Sequence, residues 1–405
     1  ITMINFLQTN NPSECCGCNA CISVCPKKCI KMNSNDEGFL YPIKDTVSCI
    51  DCGLCEKVCP FSDNYVFETT INPKVYAAYD RVNRSGSSSG GIFFALAKYV
   101  IEEKRGWVFG AAFENKFQLR HVGVNTISGL QKLRGSKYLQ SYMGDTYIKI
   151  KKLLTEGVFI FFVGTPCQVA GIRAFLRKDY ENLLLVDLVC HGVPSQYLFD
   201  EHVKFLEEKH KAELVSYQFR KADGWGGCEI ADFANPEKHK VLPSYYLSPY
   251  LYSFMYAMTY RESCYKCKFA KVPRQGDITL ADYWGVKEFF PKMDTSKGIS
   301  LVLLNTKKGV ELYDAINDNS DTIISQPSKI SDASKYNSNM MYKSVRPEIR
   351  DLVYEEIKNK GYSNVVYTRF RAKNYALLRC KTYMLQCDIL KKIMVKLLKV
   401  IRHGR

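Results

Sequence analysis

Residues 15–26 read CCGCNACISVCP, and residues 49–60 read CIDCGLCEKVCP. Both stretches contain four cysteines at the spacing C-x2-C-x2-C-x3-C, followed by a proline. The first set is Cys15, Cys18, Cys21 and Cys25, and the second set is Cys49, Cys52, Cys55 and Cys59. Each cysteine of the second set lies 34 residues after its counterpart, so this part of the chain is an internal duplication.

This spacing is the one at which bacterial ferredoxins bind two [4Fe-4S] clusters, with the fourth cysteine of each run ligating the other run's cluster. We therefore predict an α+β ferredoxin-like two-cluster module over residues 1–66 that transfers electrons. Cluster one is assigned to Cys15, Cys18, Cys21 and Cys59, and cluster two to Cys49, Cys52, Cys55 and Cys25. Zinc and a disulfide framework are the alternatives, but zinc knuckles pair two C-x-x-C arms and do not close on C-P.

The positive charge of the chain is concentrated near its C-terminal end. The net charge of the 405 residues is +16, and residues 366–405 alone contain eleven Lys or Arg and one acid, Asp388. Residues 375–401 place an apolar stripe beside lysines, as in a terminal helix that packs on its own body or lies on an anionic membrane surface. Because no nucleic-acid motif accompanies this charge, we expect no nucleic-acid binding.

The sequence has neither a secretory signal pattern nor an apolar run long enough to span a membrane. Cysteines that ligate clusters need a reducing compartment. We therefore expect a cytoplasmic protein, with peripheral contact at the inner membrane surface through the basic tail as a further option.

Downstream of the cysteine repeat, three regions differ in pattern. Apolar strands alternate with helical segments at 75–195, which predicts an α/β domain after a polar linker at 67–74. At 196–330 the strands shorten and aromatic loops increase, so we expect a mixed α+β C-terminal domain there. Residues 331–405 are predicted to form a basic helical tail that ends in a helix, with a polar linker or extended loop at 326–339.

Four further cysteines stand in distinctive settings. Cys167 and Cys190 each follow a predicted strand, and Cys264 and Cys267 form a C-x-x-C. Since ligands of α/β sheets bind outside the carboxyl ends of the strands, these thiols could converge there. From spacing alone, small buried core residues, a zinc site and a redox pair remain open.

Longer motifs carry a family resemblance. SSSGGIFFALAKYVIE, KLRGSKYLQS, FVGTPCQVAGIRAF, DLVCHGVPS, CYKCKFA and GDITLADYWG occur in this order within residues 75–305. They resemble the family of β-subunits of coenzyme F-420 hydrogenase/dehydrogenase, iron–sulfur flavoproteins in which a ferredoxin module often comes first. The resemblance implies that Cys167, Cys190, Cys264 and Cys267 hold a third [4Fe-4S] cluster beside an FAD. The remaining thiols are Cys16, Cys29, Cys228, Cys380 and Cys387, of which only Cys16 is expected to compete for a cluster.

Three segments are candidates for the flavin site. Glycine lets the backbone approach a ligand, and a helix N-terminus suits a pyrophosphate, although serine and glycine before a helix usually form only a cap. The resemblance implies FAD contacts from all three segments, in a flavin-binding α/β domain at 75–195. The residues are Ser87, Ser88, Ser89, Gly90, Gly91, Arg134, Gly135, Ser136, Lys137, Tyr138, Gly164, Thr165 and Pro166.

Two residues are candidates for catalysis. His191 neighbours a predicted ligand and titrates near neutrality, although a structural histidine is as plausible. Lys137 is the second candidate, and Asp223 and Asp282 are further polar residues in family-like motifs.

Together these patterns predict an FAD- and [4Fe-4S]-dependent reductase. Electrons would enter from a redox partner such as ferredoxin or another electron-donor protein and would reduce a small organic substrate. A deazaflavin and a glycan-pathway intermediate are the two substrate classes that the resemblance suggests. The alternative is an electron-transfer subunit that relays electrons to a partner enzyme and has no organic substrate of its own.

Overall fold

A computed structural model describes residues 6–67, 69–220, 225–226, 228–235, 239–242, 244–318 and 321–386. The predictions that concern Asp223, Cys387 and the apolar stripe beyond residue 386 fall outside these ranges.

The N-terminal module, residues 6–66, consists of three short helices and a hairpin. Its elements are α1 (Phe6–Thr9), α2 (Ala20–Val24), β1 (Ile30–Ser34), β2 (Leu40–Lys44) and α3 (Leu54–Lys57). Strands β1 and β2 pair antiparallel, with Ile30 opposite Lys44. The predicted α+β module is therefore confirmed.

The duplication of the cysteine ladder extends to the backbone. Gly17 and Asp51, which are 34 residues apart, both lie in the left-handed region, with φ of 69° and 47°. Asn19 and Gly53 are also left-handed, with φ of 66° and 67°, and each immediately precedes a short helix, α2 or α3. Alternation of right- and left-handed residues turns successive N–H groups toward one concavity, a geometry that suits an anionic group.

The body of the protein, residues 69–386, is built on two sheets. Its strands are β3 (Lys74–Asp80), β4 (Trp107–Glu114), β5 (Gln118–Val124), β6 (Ile160–Gly164), β7 (Leu183–Leu188), β8 (Leu214–Gln218), β9 (Glu229–Phe233), β10 (Lys240–Leu242), β11 (Ile278–Asp282), β12 (Ser300–Leu304) and β13 (Ile323–Ser328). The large sheet has the order β13-β3-β12-β11-β7-β6-β4-β5, and the small one has the order β10-β9-β8. Strands β4, β6, β7 and β11 run parallel, and the other pairs are antiparallel.

Helices cover the sheets and connect their strands. In the described part of the body they are α4 (Ile92–Glu102), α5 (Ile127–Leu130), α6 (Thr146–Thr155), α7 (Pro166–Leu176), α8 (Gln196–His210), α9 (Pro249–Met255), α10 (Glu262–Tyr265), α11 (Val286–Phe289), α12 (Lys307–Asp318), α13 (Ile330–Ser334), α14 (Arg350–Lys360), α15 (Tyr362–Thr368) and α16 (Tyr375–Gln386). None of the described helices combines the length and the apolar character that crossing a bilayer requires.

Side chains of the central strands alternate between two cores. Phe161 and Leu184 are buried on the face that α4 and α12 cover, whereas Phe162 and Leu185 are buried on the face that α6 and α7 cover. This period of two places consecutive residues on opposite faces of the sheet. Burial on both faces explains why these strands read as continuous apolar runs. Because β6, β7 and β11 are parallel, the segments that follow Gly164, Leu188 and Asp282 leave the sheet at the same edge.

The predicted domain boundaries differ from the observed fold in two respects. First, β11, β12 and β13 come from the region predicted as a separate domain at 196–330, yet they pair in the same sheet as β3, β4 and β7. Second, part of the predicted tail is core: α14 and α15 bury Val353, Ile357 and Val365 against β8, β9 and α8. The predicted linker at 326–339 contains the end of β13 and helix α13.

Candidate functional site

The two ferredoxin-type loops hold their first cysteine in the same way. The backbone N–H of Gly17 donates to Cys15 Sγ, and that of Asp51 donates to Cys49 Sγ, both at 3.4 Å. Hydrogen bonds of this kind stabilise a thiolate. The left-handed conformation of Gly17 and Asp51 aims these N–H groups.

The first ligand set combines cysteines from both ladders. Burial raises the pKa of Cys21 well above its ordinary value, and the charges that act on it come from Cys18, Cys15, Cys59 and Cys55. Burial also raises the pKa of Cys59 to about 12, and Cys18 and Cys15 are among its neighbours. The structure thus places Cys59 beside the first three cysteines of the other ladder, as the ferredoxin pattern requires.

Two polar side chains support the fit of a cluster to this set. Asn19 is buried, and neither its Nδ2 nor its Oδ1 has a hydrogen-bond partner; the Ser23 hydroxyl is also buried without one. A buried polar group without a partner is costly. Both residues lie within the C-x2-C-x2-C-x3-C run, where bound sulfide would accept hydrogen bonds from Asn19 Nδ2 and the Ser23 hydroxyl.

The second ligand set lies at the surface and includes an unexpected neighbour. Cys52 is exposed, and the charge of Cys49 is the largest cause that raises the pKa of Lys44. Cys29 Sγ lies 3.4 Å from Cys25 Sγ and also interacts with Cys49. The expectation that Cys16 alone competes for a cluster is therefore wrong, because the turn after Cys25 returns Cys29 to the same set.

Cys167, Cys190, Cys264 and Cys267 line one cavity, which is partly open to solvent. Cys167 is the second residue of α7, which follows β6, and Cys190 follows β7. Cys264 lies in α10, and Cys267 stands two residues after that helix. Burial raises the pKa of Cys264 to about 12 and that of Cys267 to about 11. For both thiols the negative charge of Cys167 is the second largest cause of the rise. The Phe269 N–H donates to Cys267 Sγ at 3.4 Å, which repeats the contact seen in the N-terminal loops.

Cys167 differs from the other three thiols. The interaction with the Cys16 thiol is the largest cause that lowers its pKa to about 7, and a hydrogen bond with Thr165 Oγ1, 3.2 Å from Cys167 Sγ, lowers it further. Thr165 also caps α7 in a capping box with Gln168. Burial also raises the pKa of Cys190 well above its ordinary value. Because cluster ligands bind as thiolates, loading this set requires the release of protons from Cys190, Cys264 and Cys267.

Within the described residues no three His, Cys, Asp or Glu side chains meet closely enough to hold a single metal ion. Thiolates that each bind a different iron of a four-iron cube stand farther apart than the ligands of one ion. Four thiols that line one cavity are donors that can bind the irons of a [4Fe-4S] cluster.

Arg261 fixes the N-terminal module against the third set. It is fully buried; its Nε donates to the Cys15 carbonyl at 2.6 Å, and its Nη2 donates to the Leu40 carbonyl at 2.9 Å. Gln140 completes this contact, since its Nε2 donates to the Cys16 carbonyl at 2.8 Å. Arg261 stands three residues before Cys264, so one side chain links two ligand sets.

Cys16 lies where the first and third sets adjoin. It is buried, lines the cavity of the third set, and its thiol interacts with those of Cys167 and Cys18. On the same side, a Cβ at Gly171 would lie 3.1 Å from Cys18 Sγ, so α7 approaches Cys18 closely only because residue 171 is glycine. The three sets therefore follow one another from the exposed Cys52 into the body.

Two of the three predicted flavin segments meet directly. The Ser136 N–H donates to Ser88 Oγ at 2.8 Å, and Arg134 Nη2 donates to Ser87 Oγ at 3.0 Å and to the Asn83 carbonyl at 2.7 Å. Arg134 Nε is buried without a partner. Beside Gly135, a Cβ would meet only Ser88 Oγ, at 3.9 Å, so the chain is open there. An open loop with a partly unsatisfied guanidinium fits an anionic group.

The glycines of the first segment have another explanation. A Cβ at Gly90 would lie 2.4 Å from the Ala78 carbonyl oxygen, and one at Gly91 would lie 2.9 Å from Arg84 Cα. Close packing of this loop on its own sheet therefore requires both glycines, whether or not a ligand binds.

The two predicted catalytic residues occupy different places. His191 lines the cavity of the third set, stacks on Phe254 at 6.2 Å, and burial lowers its pKa. Lys137 is not among the residues that line this cavity. Its Nζ donates to the carbonyls of Arg134, at 2.8 Å, and Lys132, at 3.1 Å, and burial lowers its pKa to about 7.

Sequence reasoning missed two parts of this region. Arg220 binds the Asp282 carboxylate, and Trp225 donates to the same group at 2.9 Å while stacking on Trp284 at 4.9 Å. The position of Asp282 at the end of β11 could have indicated such a cluster. The cavity wall also includes Lys343 and Ser344 from the predicted tail, for which no sequence signal was present.

Comparisons with known proteins match two parts of the chain. The profile for the C terminus of the beta subunit of coenzyme F420 hydrogenase/dehydrogenase matches residues 159–329, and the profile of a "4Fe-4S dicluster domain" matches residues 14–62. The first match contains Cys167, Cys190, Cys264 and Cys267, and the second contains both ladders.

Similarity to individual proteins is low or confined to a short stretch. The chain is 20% identical over 221 residues to the F subunit of the F(420)H(2) dehydrogenase of Methanosarcina mazei, covering 52% of this chain and 63% of that protein, so it spans less than two thirds of that relative's length. It is 37% identical over 65 residues to the 7Fe ferredoxin of Hydrogenibacillus schlegelii, covering 16% of this chain and 74% of that protein. A chain of the F420-reducing [NiFe] hydrogenase complex from Methanosarcina barkeri aligns with 17% identity and a TM-score of 0.46, over 74% of this chain and 97% of that chain.

Proposed function

Because the chain belongs to the coenzyme F420 hydrogenase/dehydrogenase family of β-subunits and carries a 4Fe-4S dicluster domain, we propose that it is an iron–sulfur flavoprotein reductase. It would bind three [4Fe-4S] clusters and FAD and reduce an organic substrate. When bound, the clusters supply one-electron transfer, and the flavin supplies hydride transfer to an organic molecule.

The observation that carries this proposal is the convergence of four distant cysteines on one cavity. Cys167, Cys190, Cys264 and Cys267 come from three separate segments, and no disulfide joins any two of them. Buried thiols that merely filled a core would not need to face a common space. Their position next to Cys16 and Cys18 supports a role in electron transfer, because successive redox centres must be close.

Residues at the edge of the sheet would hold the flavin beside the third set. Arg134 and Ser88 would bind its anionic part, since they provide a cation and a hydroxyl at an open loop. The loop that carries Arg134 continues through Gln140 and Ser141, which line the cavity of the third set. Gly164, Thr165 and Pro166 would approach from the other side, at the start of α7.

Lys137 is the better of the two acid–base candidates. With a pKa of about 7, its amine both holds and releases a proton at Nζ near neutral pH, which is the condition for efficient general acid–base work. His191 would instead form part of the cavity wall through its imidazole ring. Its backbone carbonyl accepts a 2.5 Å hydrogen bond from the Ser344 hydroxyl.

A relay subunit is the second candidate function. The matched relative is named as a subunit of a dehydrogenase, and the exposed Cys52 would suit exchange with a partner protein. A relay would pass electrons to a partner enzyme and would need no substrate pocket of its own.

Anaerobic purification with cofactor quantitation tests the proposal. About twelve irons and one FAD per chain are expected from three four-iron clusters and one flavin. About eight irons with no flavin would overturn it beyond the N-terminal module. Flavin that dithionite reduces and an organic acceptor reoxidises, without any added subunit, would favour the reductase over the relay.

A further inference from the structure

The N-terminal module has an inner and an outer side. Its inner side, with Cys16, Cys18 and Ala20, is buried against α7 and the loop at Gln140. Its outer side carries the second ligand set, and Cys52 is exposed there. Any protein that exchanges electrons with this set must therefore approach from the outer side.

Several apolar side chains near the second ligand set are exposed to solvent. Val47 is 93% exposed and Ile50 is 56% exposed, and they stand two residues before and one residue after Cys49. Ile43 is 53% exposed on β2. Exposed aliphatic groups concentrated around one site indicate a contact surface rather than the scattered apolar residues of an ordinary surface.

The charges of the same face are predominantly positive. Lys27, Lys28 and Lys57 are exposed, each within three residues of Cys25 or Cys55. In the described part of the chain, none of these three lysines forms an ion pair. Of the nearby acids, Asp51 pairs with Lys44 at 3.5 Å, Asp45 accepts hydrogen bonds from the Val47 N–H and the Ser48 hydroxyl, and Glu56 lies between Cys55 and Lys57. Lysines without ion-pair partners around an apolar centre would attract an acidic surface.

We propose that this outer face, formed by Lys27, Lys28, Val47, Ile50, Cys52 and Lys57, is the docking surface for a small acidic electron-carrier protein. The inference rests on the proposed function, because it requires a cluster at the second set. In each encounter one electron leaves the reduced carrier, which is oxidised, and enters this protein, which is reduced. No atom or proton is exchanged in that step.

The experiment measures reduction of the holoprotein by an acidic two-cluster bacterial ferredoxin under anaerobic conditions. Lys27→Glu and Lys57→Glu should each slow the second-order rate at low ionic strength by about threefold to tenfold, and together by more, because steering acts on association. Ile50→Glu should also slow it. In the unchanged protein the rate should fall as salt rises from about 0.02 M to 0.3 M, since screening shortens the Debye length.

Matched controls separate docking from damage to the module. Lys307→Glu and Val215→Glu introduce the same changes at exposed positions in the body and should leave the rate unchanged. Dithionite needs no docking surface, so it should reduce every variant as fast as the unchanged protein. Equal rates with ferredoxin in the face variants and the controls would overturn the inference. Failure of dithionite to reduce the unchanged protein beyond the N-terminal clusters would instead overturn the proposed function.

Discussion

The guanidinium of Arg350 donates two hydrogen bonds of 2.6 Å to the carboxylate of Glu37. Glu37 lies in the turn of the N-terminal hairpin, and Arg350 begins α14, 313 residues later. Arg350 also lies 3.0 Å from Glu262, which begins α10 and precedes Cys264. One side chain that is only 1% exposed thus ties the N-terminal module, the third ligand set and the C-terminal helices together.

Arg350→Ala should destabilise the protein by about 3 kcal/mol, because it leaves the largely buried Glu37 carboxylate without its partner. Arg346→Ala is the control, since Arg346 also binds Glu262 but is about one-third exposed, and it should cost about 1 kcal/mol or less. Thermal unfolding under anaerobic conditions would measure both. Equal shifts in the midpoint temperature would contradict the central position of Arg350.

His121 makes stability depend on pH. Burial lowers its pKa to about 4, its Nδ1 faces the Ser141 hydroxyl at 2.8 Å, and its Nε2 lies 3.0 Å from the Val163 carbonyl, an arrangement that suits a neutral ring. Between pH 4 and 6.5 the unfolded chain therefore binds a proton that the folded chain does not, and stability falls as the pH drops through this window.

From pH 7.5 to 5, this group should cost about 2 kcal/mol. His121→Gln removes the titrating ring while keeping hydrogen-bonding capacity, so its loss of stability over the same range should be smaller by that amount. Unfolding midpoints of both proteins at the two pH values measure the difference. Parallel pH profiles would show that His121 is not the responsible group.

Cys29 should act as a reserve ligand for the second set. Its sulfur is 3.4 Å from that of Cys25, so Cys25→Ser alone should retain about four irons at this set with a changed EPR spectrum. Cys29→Ser should leave both iron content and spectrum unchanged. Only the double variant Cys25→Ser/Cys29→Ser should lose the cluster. Loss of iron in Cys25→Ser alone would show that Cys29 does not replace Cys25 as a ligand.

Arg134→Met should reduce bound FAD at least fivefold while leaving the iron content unchanged. Its guanidinium joins the Asn83–Ser87 loop to the Ser136 loop, and charge-assisted contacts to an anion are worth about 1.5 to 3 kcal/mol. Lys132→Met, which removes an exposed cation from the same segment, is the control and should keep the flavin. If Arg134→Met binds as much FAD as the unchanged protein, the flavin does not bind at Arg134.

The predictability of this protein from its sequence depends on how local each feature is. The ladders at Cys15 and Cys49 are local, and their spacing alone predicts a metal-binding module. The third set brings together Cys167, Cys190 and Cys264, whose proximity depends on the order of strands in the sheet. Spacing leaves several alternatives open there, and only the family resemblance indicates a common site.

Other features could not be read from local pattern. Cys29 reaches Cys25 through a turn that the Lys28 N–H closes by donating to the Cys25 carbonyl at 3.2 Å. The Asp45 N–H then holds the Cys29 carbonyl at 2.8 Å, next to the paired strands β1 and β2. The sequence predicts a basic tail over residues 331–405, which includes α14 and α15, because Lys and Arg predominate at residues 366–405. The burial of these helices depends on long-range contacts of Val353 and Val365 with β8, β9 and α8, which no periodicity in the tail itself reveals.

The central claim is that Cys167, Cys190, Cys264 and Cys267 hold one four-iron cluster next to the N-terminal pair. Iron analysis of Cys264→Ser, purified anaerobically beside the unchanged protein, tests it most directly. We predict about twelve irons per chain in the unchanged protein and about eight in the variant, with the EPR signals of the two ferredoxin-type clusters preserved. About eight irons in both proteins would contradict the claim.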